Sequence, residues 1–332
     1  MNDAAQVFSM NGLPWSDALI ADAATRISHG GSIGFGFGVD APAQLADLDA
    51  QVFAQRPDLQ LRVWRVGDDR RFTDADLRAL AALCHVRKLE ISLDKAQPLT
   101  PLASLRTLES LTLKGGKSHG LGFLPSLGNL RALELHGAFK SLESLADCHA
   151  LQSLYAGSSR LDTDALLASL PDLRSLTLDG CPAPEDLSLL NRPALESLCL
   201  SSIPKLAGLD ALAAFSHLQA LDVQGAAHLQ RLPDMSGMRA LRTLALNRLK
   251  TWSNPEALQT LPALETLTLQ EINTKLKAEQ FAFLPALPGL LSVDVRFIDS
   301  GARRRTQIEA LFAAAGKRHL VVPEEASDVS GD

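Results

Sequence analysis

A phrase of the form L-x-x-L-x-L, as in Leu173-Arg174-Ser175-Leu176-Thr177-Leu178, returns about every 22 residues through most of this 332-residue chain. Its first position falls at Val86, Leu108, Leu130, Leu151, Leu173, Leu195, Leu218, Leu241, Leu264 and Leu290, with spacings of 22, 22, 21, 22, 22, 23, 23, 23 and 26. A fixed period of this length means a stack of copies, each hiding its apolar side against the next. The length of the chain therefore does not count domains. Within each phrase the fourth and sixth residues share one face of a strand, while the third, fifth and seventh share the other.

Composition fits such a stack. Hydrophobic residues make up 46% of the chain but aromatics only 5%, so leucine, alanine and valine must build the core. That suits a narrow interior. The formal net charge of -6 and the pI near 5.8 provide no basic field for phosphate backbones or anionic lipid, which argues against nucleic acid and membrane as partners. The basic run Arg303-Arg304-Arg305 reads as a solvated helix face. Cys84, Cys148, Cys181 and Cys199 form no C-x-x-C pair, so neither a zinc site nor a disulfide framework is signalled. Residues 1–12 lack a basic stretch followed by an apolar one, and no run approaches the ~18 apolar residues of a membrane span. The expectation is a cytoplasmic monomer, with export by a dedicated apparatus left open.

Taken in order, residues 1–58 lie outside the period and read as an N-terminal α/β cap. Helical spacing from Trp15 to Ile27 precedes the run Ser32 to Val39, whose alternating glycines imply a strand packed closely on its glycine face. Asp40 stands where a helix N-cap should, Pro42 falls in the first turn, and Leu45, Leu48, Val52 and Phe53 form an apolar stripe. Residues 59–297 should hold about 10 or 11 rungs, beginning with the alternating Leu59, Leu61 and Val63. Thr73 and Asp76 make a capping box for a helix through Leu77, Leu80 and Leu83. Later crossings carry leucines at threes, such as Leu102, Leu105 and Leu108, which favours 3-10 turns over long α-helices. Residues 298–322 read as a C-terminal cap, with a helix over 306–315 and a last strand at 319–322. Residues 323–332 read as a disordered acidic tail.

These phrases resemble leucine-rich repeats of the 22-residue class, the kind found in listerial internalins and in a regulatory subunit of a Ser/Thr phosphatase. The resemblance covers roughly residues 59–297 and implies an α/β solenoid: a curved parallel sheet on the concave side, with short helical or 3-10 segments behind it. It also implies protein recognition. One departure stands out. The family usually places Asn shortly after the last leucine of the phrase, whereas that slot here holds Asp94, Gly116, Ala138, Ser159, Cys181, Ile203, Ala226, Leu249 and Ile272. Without an Asn hydrogen-bond ladder, looser and less uniform turns are expected at the strand ends.

The second position of the phrase runs Arg87, Glu109, Arg131, Gln152, Arg174, Glu196, Gln219, Arg242, Glu265, a row whose neighbouring opposite charges fix register and belong to the scaffold. The third position is mostly Ser or Ala and leaves the face open. Variety is confined to positions five and seven, giving the candidate binding residues Trp64, Glu90, Lys114, Glu134, His136, Tyr155, Asp179, Asp222, Asn247 and Arg296. Tyr155, the only tyrosine of the chain, offers the large and rigid contact area typical of interface anchors.

Signs of chemistry are weaker. Gly30 to Gly34 fits G-x-S-x-G, but a helical segment precedes Ser32 where a nucleophile elbow needs a strand. Gly36 to Ala41 fits G-x-G-x-x-A, yet the strand at 59–64 ends without a ribose-binding acid. Glu134 and His136 share a face as a metal pair would, but Glu90 and Asp179 stand two rungs away, near 10 Å, too far to close a site. No cofactor is implied. The expected function is a non-enzymatic module that grips a protein partner through the concave face; an effector or immunity-type inhibitor acting through the same face, a structural module, and an enzyme with a site in the N-terminal cap are the rivals. A ligase of the repeat-bearing bacterial kind would need a Cys-x-Asp motif, which the chain lacks.

Overall fold

A computed structural model describes residues 6–117, 120–139, 142–159, 169–182, 187–203, 205–206, 208–299 and 301–323. The chain divides into two compact units, Met1–Leu173 and Arg174–Asp332.

In the first unit the described strands are β1 (Val7–Asn11), β2 (Ile27–Phe37), β3 (Gln60–Arg65), β4 (Lys88–Ser92), β5 (Ser110–Lys117), β6 (Ala132–Ala138) and β7 (Ser153–Gly157). Each pairs in parallel with the next in chain order. Parallel neighbours in sequence need a crossing behind the sheet, and the crossings are α1 (Asp17–Arg26), α2 (Pro42–Leu48), α3 (Asp74–Ala81) and then 3-10 turns such as Thr100–Ser104, Leu124–Ser126 and Glu143–Asp147. The period-three leucines thus fold as expected. Register aligns Ile33, Leu61, Leu89, Leu111, Leu133 and Leu154 in one row, all buried, with Phe35, Val63, Ile91, Leu113, Leu135 and Ala156 beside them. β2 joins these rows although its sequence lies outside the period.

The second unit repeats the scheme with β8 (Ser175–Asp179), β9 (Ser197–Ser201), β10 (Ala220–Gln224), β11 (Thr243–Asn247), β12 (Thr266–Gln270) and β13 (Ser292–Asp294), again parallel and in order. Leu176, Leu198, Leu221, Leu244, Leu267 and Val293 make its inner row, each no more than 2% exposed. Helix α4 (Ala302–Ala314) closes over its far end. Val321 makes a single parallel bridge to Val293 instead of the full strand expected at 319–322. The acidic tail lies outside the described residues beyond Pro323.

Three sequence expectations need correction. Arg304 is not part of a solvated face: it is 6% exposed, and its guanidinium donates to the carbonyls of Asn273 (2.7 Å), Leu276 (2.9 Å) and Ile298 (3.1 Å) and pairs with Asp299 at 3.0 Å. A long cation anchoring a helix to bare turn carbonyls is indistinguishable in sequence from a solvated one. Asp40 does not cap α2, whose N-cap is Ala41; its buried carboxylate instead accepts from the backbone N–H of Trp15 (3.0 Å) and of Gly36 (2.7 Å). The strand-end turns of the second unit are also uniform despite the missing Asn. The residue after each strand, Gly180, Ser202, Gly225, Arg248 and Glu271, takes a left-handed φ of 62°, 55°, 64°, 52° and 45°. Each of these N–H groups donates to a carbonyl of the following rung, at 2.9, 2.9, 2.9, 2.9 and 2.8 Å. The old Asn slot then points Cys181, Ile203, Ala226, Leu249 and Ile272 into the core. Backbone bonds between rungs do what a side-chain ladder would otherwise do. In the first unit the matching φ values are 110° at Gly115, 134° at Gly137 and 53° at Ser158, so there the turns do vary.

Loops between units of the stack are fixed by single polar residues. The buried Asp49 carboxylate accepts from the backbone N–H of Cys84 (2.8 Å), His85 (3.0 Å) and Val86 (3.2 Å), setting the entry to the first full repeat. The capping box of Thr73 and Asp76 starts α3 as its sequence implied.

Candidate binding face

The side chains opposite the core stand on positions five and seven of each strand. In the first unit position five runs Gly34, Arg62, Glu90, Thr112, Glu134, Tyr155, and position seven runs Gly36, Trp64, Ser92, Lys114, His136, Gly157. The structure therefore brings Trp64, Glu90, Lys114, Glu134, His136 and Tyr155 onto one face of one sheet. They are not equivalent.

Trp64 is half-buried because β2 offers it glycines to lie on. A Cβ on Gly36 would come within 3.2 Å of Trp64 Nε1, and one on Gly34 within 2.9 Å of its Cη2. The close packing expected on the glycine face is the seat of this indole. Trp15 donates its Nε1 to the Gly34 carbonyl of the same strand at 2.9 Å. At the opposite end Tyr155 lies along its own strand over Gly157, where a Cβ would meet the ring carbon Cε1 at 3.2 Å. His136 stacks against it, with ring centroids 4.4 Å apart and planes 27° from parallel.

Between the aromatics the charges meet one another. Glu90 is 7% exposed and pairs with Arg62 at 3.4 Å and Lys114 at 2.9 Å. His136 Nε2 stands 2.9 Å from a Glu134 carboxylate oxygen, which also accepts from the Thr112 hydroxyl at 3.4 Å. Glu134 and His136 are thus partners of each other. Sequence reasoning missed Arg62 and the buried Thr112. Arg62 was open to discovery: it sits one rung before Glu90 in the same row, an opposite-charge neighbour of the kind already recognised at position two.

The second unit carries Asp179, Asp222, Asn247 and Arg296 on its own outward face. Arg296 is taken up by Asp294, whose carboxylate receives Nε at 3.1 Å and Nη2 at 2.9 Å, and its guanidinium lies 5.7 Å from the centre of the exposed Phe297 ring. Asn247 donates to Gln270 at 3.0 Å, and Gln224 donates to Asp222 at 2.7 Å. A cavity of about 460 Å³ beyond the strand ends is lined by Lys250, Gln270, Glu271, Ile272 and Phe297 among others.

The position-two row behaves as scaffold. Arg87 meets Glu109 at 2.9 Å and Arg174 meets Glu196 at 2.7 Å, while Arg242 pairs with Glu265. All are at the surface, where such pairs contribute a few tenths of a kcal/mol. The catalytic motifs fare no better as chemistry. Ser32 is buried inside β2, with strand on both sides, and the Gly36 amide that a phosphate would need already serves Asp40. Burial pushes the Cys148 thiol up to about 11 and, with Asp222 and Asp179 adding to it, the Cys199 thiol to about 12. Such thiols stay protonated and unreactive. Among the described residues no group of three or more His, Cys, Asp or Glu is placed to hold a metal, and no helix is long and apolar enough to cross a membrane.

No protein-family model matches the chain, and no curated protein matches its sequence. Among solved structures it is similar to an internalin (inlF) of Listeria monocytogenes, at 20% identity and a TM-score of 0.51 over 77% of this chain and 73% of that one. It also matches internalin C2 (inlC2) of the same species, at 20% identity and a TM-score of 0.40 over 69% and 86%. Together with the repeating parallel strands, the in-register leucine rows and the 3-10 crossings, the first of these likenesses makes the architecture plain: the chain has the leucine-rich-repeat fold that internalins also use.

Proposed function

We propose that this chain is a non-enzymatic binding protein that recognises a protein partner through the outward sheet face of β3 to β7, with Trp64 and Tyr155 as its anchors. The observation that carries the reading is the preparation of both aromatic rings. Each is held flat over glycine, so little side-chain entropy remains to be lost on binding. They stand four strands apart, about 19 Å at the spacing of a sheet, within the footprint of an ordinary protein interface.

The charges between them favour the same reading. Glu90 is matched by Arg62 and Lys114, and Glu134 by His136, so a partner covering the face would not strand an isolated ion. Protonated buried thiols, a mid-strand Ser32 and an occupied Gly36 amide support a role without catalysis. The free cysteines fit a reducing compartment, which in this reading is the cytoplasm. Residues 1–58 and 298–322 serve as caps that shield the ends of the repeats.

The test is quantitative affinity capture from the native cell with wild type, Trp64→Ala/Tyr155→Ala, and Arg87→Ala/Glu109→Ala as a scaffold control. The reading expects a partner retained by wild type and the control and lost by the double aromatic variant at unchanged melting temperature. Equal retention by all three would refute the face assignment.

A further inference from the structure

β1 ends the sheet of the first unit: it pairs with β2 on one side, and among the described residues no strand lies on the other. A bare edge is a template for another strand unless charge, proline or a covering element blunts it. Residues 6–12 carry neither charge nor proline. The second unit shows the contrast, since the edge of β13 is met by the last turn of its cap, where Val322 donates to the Val293 carbonyl at 2.9 Å.

Alternation along the strands says which backbone groups are bare. The Phe37 carbonyl accepts from Val66, next to β3, at 2.8 Å, so every second residue before it in β2 faces β3, and Ser32 and Gly34 face β1. Through the register of these two, Phe8 and Met10 carry the bonds of β1 to β2, and the N–H and C=O of Ser9 and Asn11 turn to the open side. Met10 is level with Ile33 of the inner row, and Phe8, two residues earlier, shares its face. α1 packs toward β2 and the crossing Asp49–Phe53 and leaves Phe8 68% exposed.

We propose that β1 pairs antiparallel with β1 of a second copy of this chain, about a two-fold axis through Ser9. In that register Ser9 meets its own copy in a pair that exchanges both backbone bonds, and all five residues of the strand overlap. Phe8 then stands opposite the partner's Met10 in a pair without hydrogen bonds, where side chains approach closest. Symmetry makes this contact of ring and sulfur twice. The neighbouring register, with Phe8 opposite its own copy, strands the Asn11 groups and sets Met10 over Gln6.

Charge favours the same occupant. α1 begins beyond the end of β1 and finishes beside Ile27, which is level with Val7. The axis therefore sets α1 antiparallel to its copy, with Asp17 toward the partner's Arg26 and the positive helix end toward the negative one. A neutral strand beside a helix of both signs suits its own copy, and it offers a charged foreign strand no counter-ion. In place of the monomer expected from the sequence, the chain is then a dimer whose outward sheet faces look to the same side and stay open. One strand and one helix from each copy fall at the low end of specific interfaces, so a micromolar dissociation constant is expected.

Sedimentation equilibrium of the full chain, up to about 0.5 mM, tests the proposal with Phe8→Lys and Ser9→Pro alongside. Lysine replaces an exposed ring, and proline removes an N–H that faces away from β2, so both chains should keep the wild-type melting temperature when dilute. Each is expected to weaken the dimer by at least about tenfold; should the proline variant melt early, Phe8→Lys decides. Register is read separately by mixing Phe8→Cys with Met10→Cys chains under oxidation and mapping the disulfides by mass spectrometry. A bridge from position 8 to position 10 is expected, formed in the mixture and in preference to bridges between like chains. A monomer throughout the concentration range, a dimer indifferent to Phe8→Lys, or bridging chiefly between two Phe8→Cys chains would overturn the proposal. Neither Trp64 nor Tyr155 lies on this edge, so the capture experiment stands or falls separately.

Discussion

Glu90 stands 2.9 Å from Lys114 on the adjoining strand while being itself only 7% exposed. Arg62 completes the pair from the other side at 3.4 Å. Glu90→Ala should cost about 1 to 3 kcal/mol, with the larger share from leaving two cations facing each other without their counter-ion. Urea unfolding of Glu90→Ala, Lys114→Ala and the double variant gives the coupling directly. Additive losses would mean that the pair is decorative.

Leu176 lies 1% exposed in the inner row of the second unit. Leu176→Ala removes a buried isobutyl group between two rungs that cannot easily close, and should lower stability by about 2 to 5 kcal/mol. The midpoint of chemical denaturation reports it, and an unchanged midpoint would contradict the inward assignment.

Asp49 serves backbone N–H groups of Cys84, His85 and Val86 with one carboxylate. No residue near it in sequence could do so. Asp49→Ala leaves these donors to whatever water can reach them and should cost about 2 to 3 kcal/mol. Hydrogen exchange at Cys84 and Val86 should quicken at the same time, which a general loss of stability would not confine to that turn.

The pH dependence follows from Asp58. Its side-chain hydrogen bond with Arg56, at 2.8 Å, holds its carboxyl well below the usual carboxylate range, with the Gly30 amide adding to it. A folded value below the unfolded one means that its contribution is complete above the unfolded value, about 4, and is lost as pH falls further. Asp222, raised by burial, acts in the opposite sense, its protonation relieving the folded state on the way down from neutral pH. Asp58→Asn should flatten the acid limb of a stability profile measured between about pH 5 and 2, and Asp222→Asn should steepen it.

Much of this was readable from the chain alone because the repeat makes one observation many times over. Leucine at positions four and six fixes the inner rows, period three in the crossings fixes the 3-10 turns, and Thr73 with Asp76 announces α3. What stayed hidden depends on partners far apart in sequence and on backbone geometry. Asp40 satisfies amides of Trp15 and Gly36 instead of capping the helix beside it, Arg304 finds its carbonyls some 28 to 31 residues earlier as well as at Ile298, and a bond between backbones leaves no residue signature to replace the absent Asn. The candidate face was half legible. Position in the phrase located its residues, but whether a charge was free or already matched, as at Glu90, required the neighbouring rungs.

All these assignments stand on the register of the rungs, which in the second unit is closed by the amides of Gly180, Ser202, Gly225, Arg248 and Glu271 bonding to the following rung. Native-state hydrogen exchange at those amides is the most direct measurement of it. The account predicts protection at Ser202, Gly225 and Arg248 comparable to that of Leu198, Leu221 and Leu244 within the strands. Exchange at the rate of an exposed loop at these sites, with the strand amides still protected, would contradict it.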